Sequence, residues 1–270
     1  MSRTHTPSRR VVTPALAVAA LLAGGCHYGA YFLRPARTPM LGLEVRMDAS
    51  ARRDCLVVMM PGMLNVPDDY FGRGFVADAV AASRRCDLVA IDSHWGYFEA
   101  GTLARRVGAD VLRVAEARGY RHIWILGVSM GGLGAVMVAR EHAARIDGLV
   151  LLGPFLGGDD LTRSIEDAGG LAAWVPDEHD RSRFRSEQVA VWDWLRVYAT
   201  EPSRRPPLFV GAGVDDGVAS GVRLLEPHLP PERHGVTEGG HDWDGLRILW
   251  RRLLVSPPWD PSEATPRIDR

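Results

Sequence analysis

Ser129 stands between Gly127 and Gly131, after the apolar run 122–128 and ahead of a helix-like stretch that opens at Gly131. A serine hydroxyl becomes a working nucleophile when it projects from a sharp strand-to-helix turn and a base can take its proton. Glycines two positions to either side leave the room such a turn needs. The first turn of the helix then aims N–H groups at any negative charge that develops there. A third glycine, Gly132, follows directly. Candidates for the base and its orienting acid lie further along. Asp215 and Asp216 come after the apolar run 208–211, and His241 stands in Gly239-Gly240-His241-Asp242-Trp243. Each has a plainer reading: the aspartates as a turn and cap before Val218, and His241 with Asp242 as a cap on the last helix. In this order, each at the carboxyl end of a strand candidate, the three side chains point to a nucleophile, a base and an acid for acyl transfer. His94, in Asp92-Ser93-His94-Trp95 after another apolar run, is a further titratable candidate. Its plainer reading is a loop histidine among packed aromatics.

These residues have to be held by alternating strands and helices. The runs 43–47, 56–60, 87–91, 123–128, 148–153, 208–211 and 235–238 read as strands. Between them 75–83, 131–142, 218–228 and 243–254 read as helices. So does 102–117, where Leu103, Val107, Val111, Leu112 and Val114 recur at helical spacing. Continuous apolar strands separated by helices predict a mostly parallel sheet covered on both faces. About fifty residues between Phe155 and Arg205 interrupt the rhythm, too many for a plain connection. They hold helix candidates at 160–165 and 187–198 and the tryptophans Trp174, Trp192 and Trp194, which read first as packing for the insertion. At the carboxyl edge of a sheet such an insertion is placed as a lid. The last residues, 257–270, are rich in proline and charge and read as a surface tail.

Composition removes several classes of function. The chain is 46% apolar and 24% charged with a net charge of −1, the balance of an ordinary globular protein and not that of a phosphate-binding surface. Nucleic acid is therefore not an expected partner. All 32 basic residues are arginine. Without lysine there is no Schiff base, no pyridoxal-phosphate lysine and no Walker A lysine. No Cys/His spacing suggests a metal. The first residues read as an export signal: Arg3, Arg9 and Arg10, an apolar run over 15–23, then Gly24, Gly25 and Cys26. Cys26 resembles a lipoprotein processing site, although Leu22 sits one place too far upstream, and Ser8-Arg9-Arg10 loosely resembles a twin-arginine signal. Cys55 and Cys86 each stand just ahead of a strand candidate. Either they start neighbouring parallel strands side by side, where an oxidising compartment permits a disulfide, or they are two buried thiols.

From about Cys55 to Leu254 the chain resembles the α/β-hydrolase superfamily, whose triad runs in the order Ser, Asp, His. Gly239-Gly240-His241-Asp242-Trp243 is similar to the Gly-Gly-His-x-Trp of its esterase-D and feruloyl-esterase-like branches. The resemblance implies an α/β fold with a mostly parallel twisted sheet, helices on both faces, and a helical lid inserted after the sixth strand. It implies Ser129 as nucleophile, His241 as general base and Asp216 as acid, with Asp215 the alternative. The oxyanion hole would come from the N–H groups of Met130 and Met63, where Pro61-Gly62-Met63 replaces the family's His-Gly-x. The implied substrate is a small-molecule carboxylic ester, with no cofactor and no metal. The organisation that follows is an export signal over 1–26, a linker over 27–42, a hydrolase domain over 43–256 with its insertion at 157–205, and the tail. The protein is expected in a bacterial cell envelope, periplasmic and attached to the membrane if Cys26 is lipidated, with a cytoplasmic protein as the alternative. Two rival functions share these features: a non-catalytic envelope binding protein on a hydrolase fold, and an acyltransferase using the same three residues.

Overall fold

Strands without polar alternation have to be covered on both faces. The computed structural model of the chain, which describes residues 29, 31–47, 54–82, 86–176 and 182–259, builds them into one seven-stranded sheet. The chain divides into a short unit, 1–35, in which 31–33 are helical, and a main unit, 36–270. The segment 1–26, expected from its sequence to be an export signal, lies outside the described residues, as does 260–270 of the tail.

In the main unit β1 (Gly42–Val45) is followed by β2 (Cys55–Met60), α1 (Asp68–Gly72), α2 (Phe75–Ala81) and β3 (Asp87–Ile91). Then come α3 (Trp95–Glu99), α4 (Leu103–Val107), α5 (Arg113–Ala117), β4 (His122–Val128), α6 (Met130–Glu141) and β5 (Gly148–Leu152). The insertion carries α7 (Asp159–Asp167), α8 (Arg183–Leu195) and α9 (Val197–Thr200). Last are β6 (Leu208–Gly213), α10 (Ser220–Leu225), β7 (His234–Thr237) and α11 (Trp243–Val255). The strand order is β1-β3-β2-β4-β5-β6-β7, with only β1 antiparallel to its neighbour.

Alternate residues of β2 show how both faces are filled. Leu56, Val58 and Met60 face a core shared with α4, α6 and α8, while Val57 and Met59 face Phe75, Leu246 and Trp250 from α2 and α11. Full burial of each such side chain contributes about 1.5–3 kcal/mol. Trp174, Trp192 and Trp194 are all buried, as packing for the insertion requires.

Several details differ from the sequence reading. Counted along this chain, the insertion leaves the fifth strand and not the sixth, because among the described residues only the edge strand β1 precedes β2. The helix expected over 102–117 contains a π-helical turn, Gly108–Leu112, between α4 and α5. The His142 ring lies where a side chain on Gly108 would be, and its Nε2 is 3.0 Å from the Ala104 carbonyl oxygen. A ring inserted beside the helix ladder is a recognised cause of such a widened turn. Gly42, counted with the linker, opens β1, and Met40 is buried with its N–H donating to Asp110. At the other end Trp259, counted with the surface tail, is buried and packs edge-on to Trp124 with ring centres 5.8 Å apart. The folded core thus runs past residue 256. Leu56 pairs with Asp87 across β2 and β3, so Cys55 and Cys86 stand opposite one another with Cα atoms 4.5 Å apart, and their sulfurs are bonded.

Candidate active site

β4 ends at Val128 and α6 begins at Met130, leaving Ser129 alone to make the turn. Its φ of 54° and ψ of −122° lie where a residue with a side chain is strained. The strain is held by hydrogen bonds. The Ser129 N–H donates to the Leu152 carbonyl at 3.2 Å, and its carbonyl accepts from Gly132 at 2.8 Å and Phe155 at 3.0 Å. The flanking glycines are sterically required. A Cβ on Gly127 would run into the Gly131 carbonyl, one on Gly131 into the Met60 carbonyl, and one on Gly132 would stand 2.6 Å from the Pro154 Cβ.

His241 and Asp216 reach this turn from neighbouring loops. Val214 and Asp215 donate their N–H groups to the carbonyls of Thr237 and Gly239 at 2.9 and 3.0 Å, zipping the loop after β6 to the one after β7. His241 Nε2 lies 2.9 Å from Ser129 Oγ, and its Nδ1 lies 2.9 and 3.0 Å from the two Asp216 oxygens. The Asp216 side chain is completely buried, while 38% of the His241 side chain remains exposed. Burial pushes the Asp216 carboxyl up. Hydrogen bonds from His241 and the Val218 N–H, with the attraction of the imidazolium, outweigh it and carry the carboxyl below its ordinary value. The same hydrogen bond to Asp216 holds His241 above the ordinary histidine value against its own burial.

Asp215, the alternative acid, is exposed, and its neighbour is the one bonded to the imidazole. Asp242 alone caps α11, accepting from the Gly245 N–H at 2.8 Å. His94 is buried and caps α3, its Nδ1 accepting from the Gly96 N–H at 3.0 Å.

The two candidate oxyanion donors flank Ser129. Met130 is the first residue of α6, so its N–H has no partner within the helix. On the other side a Cβ on Gly62 would stand 2.9 Å from the Ser129 Cβ, which puts Gly62, the residue before Met63, directly against the serine. The Met63 N–H meets no backbone acceptor among the described residues. Sequence reasoning missed Tyr70 and Ser93, whose hydroxyls donate to the Met60 and Pro61 carbonyls. No pattern marks them, since the Ser93 contact depends on β3 lying beside β2 and the Tyr70 contact on α1 folding back over the end of β2. The insertion carries a separate groove of about 470 Å³, lined in part by Leu161, Trp174, Val175 and Arg185 and by none of the residues around Ser129. Among the described residues no group of three or more His, Cys, Asp or Glu side chains could hold a metal ion, and no helix is long and apolar enough to cross a membrane.

The chain belongs to the α/β-hydrolase fold family, whose sequence profile matches residues 56–192. It is similar in structure to a ferulic acid esterase, at 17% identity and a TM-score of 0.54 over 77% of this chain and 86% of that one. Est1E from Butyrivibrio proteoclasticus is similar at 16% identity and a TM-score of 0.55, over 80% of this chain and 92% of the other. The S-formylglutathione hydrolase FrmB from Staphylococcus aureus matches at 12% identity and a TM-score of 0.51, over 82% and 97% of the two chains. At these identities the likeness is one of fold. No curated protein matches in sequence.

Proposed function

We propose that this protein is a serine hydrolase that cleaves carboxylic esters through an acyl-enzyme on Ser129. The observation that carries this reading is the unbroken chain of contacts from Ser129 Oγ to His241 Nε2 at 2.9 Å and from His241 Nδ1 to a buried Asp216 at 2.9 Å. His241 takes the Ser129 proton as the oxygen attacks the acyl carbonyl, and Asp216 stabilises the imidazolium that forms. The N–H groups of Met130 and Met63 receive the tetrahedral oxyanion. His241 then hands the proton to the departing alcohol, and water repeats the sequence on the acyl-enzyme. The solved structures named for ester and thioester cleavage support the choice of substrate class by analogy of fold.

Intact-protein mass spectrometry after treatment with a fluorophosphonate tests the reading. One adduct is expected on the wild type and none on Ser129→Ala, which should also lose ester cleavage by at least about 10⁴-fold. A folded wild type that takes no adduct would favour the binding-protein alternative.

We also place the protein in a bacterial cell envelope, anchored through a lipid on Cys26. The bonded Cys55 and Cys86 support an oxidising compartment, where disulfides persist. Cys26→Ser should move the protein from the membrane fraction to the soluble fraction of cells that export it; a soluble wild type would remove the anchor.

A further inference from the structure

Two buried hydroxyls outside the Ser129–His241–Asp216 chain are aimed at one short piece of backbone. Tyr70, fully buried on α1, donates from its hydroxyl to the Met60 carbonyl at 2.8 Å. Ser93, 4% exposed just past β3, donates to the Pro61 carbonyl at 3.0 Å. These carbonyls close β2 immediately before the chain turns through Gly62 to Met63. Pro61 brings no N–H to continue the strand's ladder, and side-chain hydroxyls bond the carbonyls on either side of the Met60–Pro61 peptide. On the far side the segment lies against the elbow, where a Cβ on Gly131 would run into the Met60 oxygen and stand 2.7 Å from that of Pro61.

Both hydroxyls are themselves held. The Tyr70 ring meets Phe75 and Trp243 edge-on, with ring centres 5.6 and 5.5 Å apart, and Trp243 follows His241 by two residues. Ser93 sits in a tight turn whose N–H groups at Ser93 and His94 donate to the Ile91 and Asp92 carbonyls at 3.0 and 2.8 Å.

We propose that Tyr70 and Ser93 are positioning residues that hold the Pro61–Gly62 segment, and with it the Met63 N–H, at the site of the tetrahedral oxyanion. This rests on the serine-hydrolase reading above. Neither hydroxyl touches substrate. Each removes a freedom that would let the donor drift, and neither adds a charge beside the oxyanion. Burial raises the Tyr70 phenol well above its ordinary value, so it stays a neutral donor wherever His241 works as a base.

The test compares the wild type with Ser93→Ala, Tyr70→Phe and Ser93→Thr. The probes are a p-nitrophenyl ester and a trifluoromethyl ketone, which adds to the serine and places an oxyanion in the same hole. Each of the first two variants should lose about tenfold to a hundredfold in kcat with KM within about twofold. Trifluoromethyl ketone affinity should fall by the same factor as kcat/KM, and Ser93→Thr, which keeps a hydroxyl, should recover most of the loss. A lowered Tm with the ratio of ketone to substrate affinity unchanged would mean a structural role only and would overturn the proposal. Unchanged kcat in both variants would overturn it too. Should Ser93→Ala fail to fold, Tyr70→Phe carries the same test, because its ring stays packed. A wild type inert to both the ester and a fluorophosphonate would bring down the hydrolase reading itself; an active wild type with unaffected variants brings down this proposal alone.

Discussion

Along β2 and β3 the two ends of the sheet are secured by different means. At the amino ends Cys55 is bonded to Cys86, Tyr120 donates its hydroxyl to Asp87 at 2.7 Å, and Asp54 accepts from the backbone of Arg121 and His122 while pairing with the Arg121 side chain. At the carboxyl ends of the same strands, where Asp92 is buried beside Ser93, the Met60 and Pro61 carbonyls are held by two neutral hydroxyls. A covalent bond and surface charges can brace an edge where nothing reacts. Beside an oxyanion and a tuned His–Asp pair, an added charge would shift the titration of the groups it was meant to support. The division predicts that changes at one end alter rate and changes at the other alter stability.

The largest expected effect is at the carboxyl end. Asp216→Asn should lower kcat by about 10³–10⁴-fold with little change in melting temperature, since an asparagine cannot hold the imidazole in the working tautomer. Asp215→Asn, at an exposed position, should leave the rate nearly unchanged; the reverse ordering in steady-state kinetics would move the acid to Asp215. Next is the amino end. The bonded cysteines lie 31 residues apart, and replacing both with serine should cost about 4 kcal/mol in denaturant unfolding. The turnover of the protein that remains folded should be retained. A collapse of kcat at full folding would show that the two ends are not independent. The smallest effect is a titration. Because Asp216 holds the His241 imidazole above the ordinary 6.5, and catalysis needs it neutral, activity should fall as pH drops through a midpoint above that value. Nuclear magnetic resonance of the His241 ring should show the midpoint moving down in Asp216→Asn, and an unmoved midpoint would mean that another group sets it.

Much of the site was legible because its chemistry is carried by short local patterns. Gly127, Ser129 and Gly131 sit within one turn, and Asp216 and His241 each follow their own strand by a few residues. The cysteine pair was legible only as a condition on strand neighbours, which the β2–β3 register meets. Features made by distant partners were not legible. The π-helical turn needs His142 packed against Gly108, a contact between separate helices that no window on 102–117 contains. Trp259 looked like tail because proline and charge surround it, while its burial comes from Trp124 and Trp250. Ser93 is an ordinary residue in an ordinary context until β3 is laid beside β2, and Tyr70 until α1 folds back over the end of β2.

The rung at which Met60 pairs with Gly127 has a bearing on how this chain can change over generations. The backbone that leaves β2 and the turn that leaves β4 depart from adjacent strands at the same height. Losing or gaining one residue inside either strand would shift them by about 3.3 Å and turn every later side chain to the opposite face. Descendants should therefore keep the lengths of these two strands while their side chains drift. The segment 157–205 is under a different constraint: it adds no strand to the sheet, and its α8 has to keep the face that packs into the core shared with Leu56, Val58 and Met60.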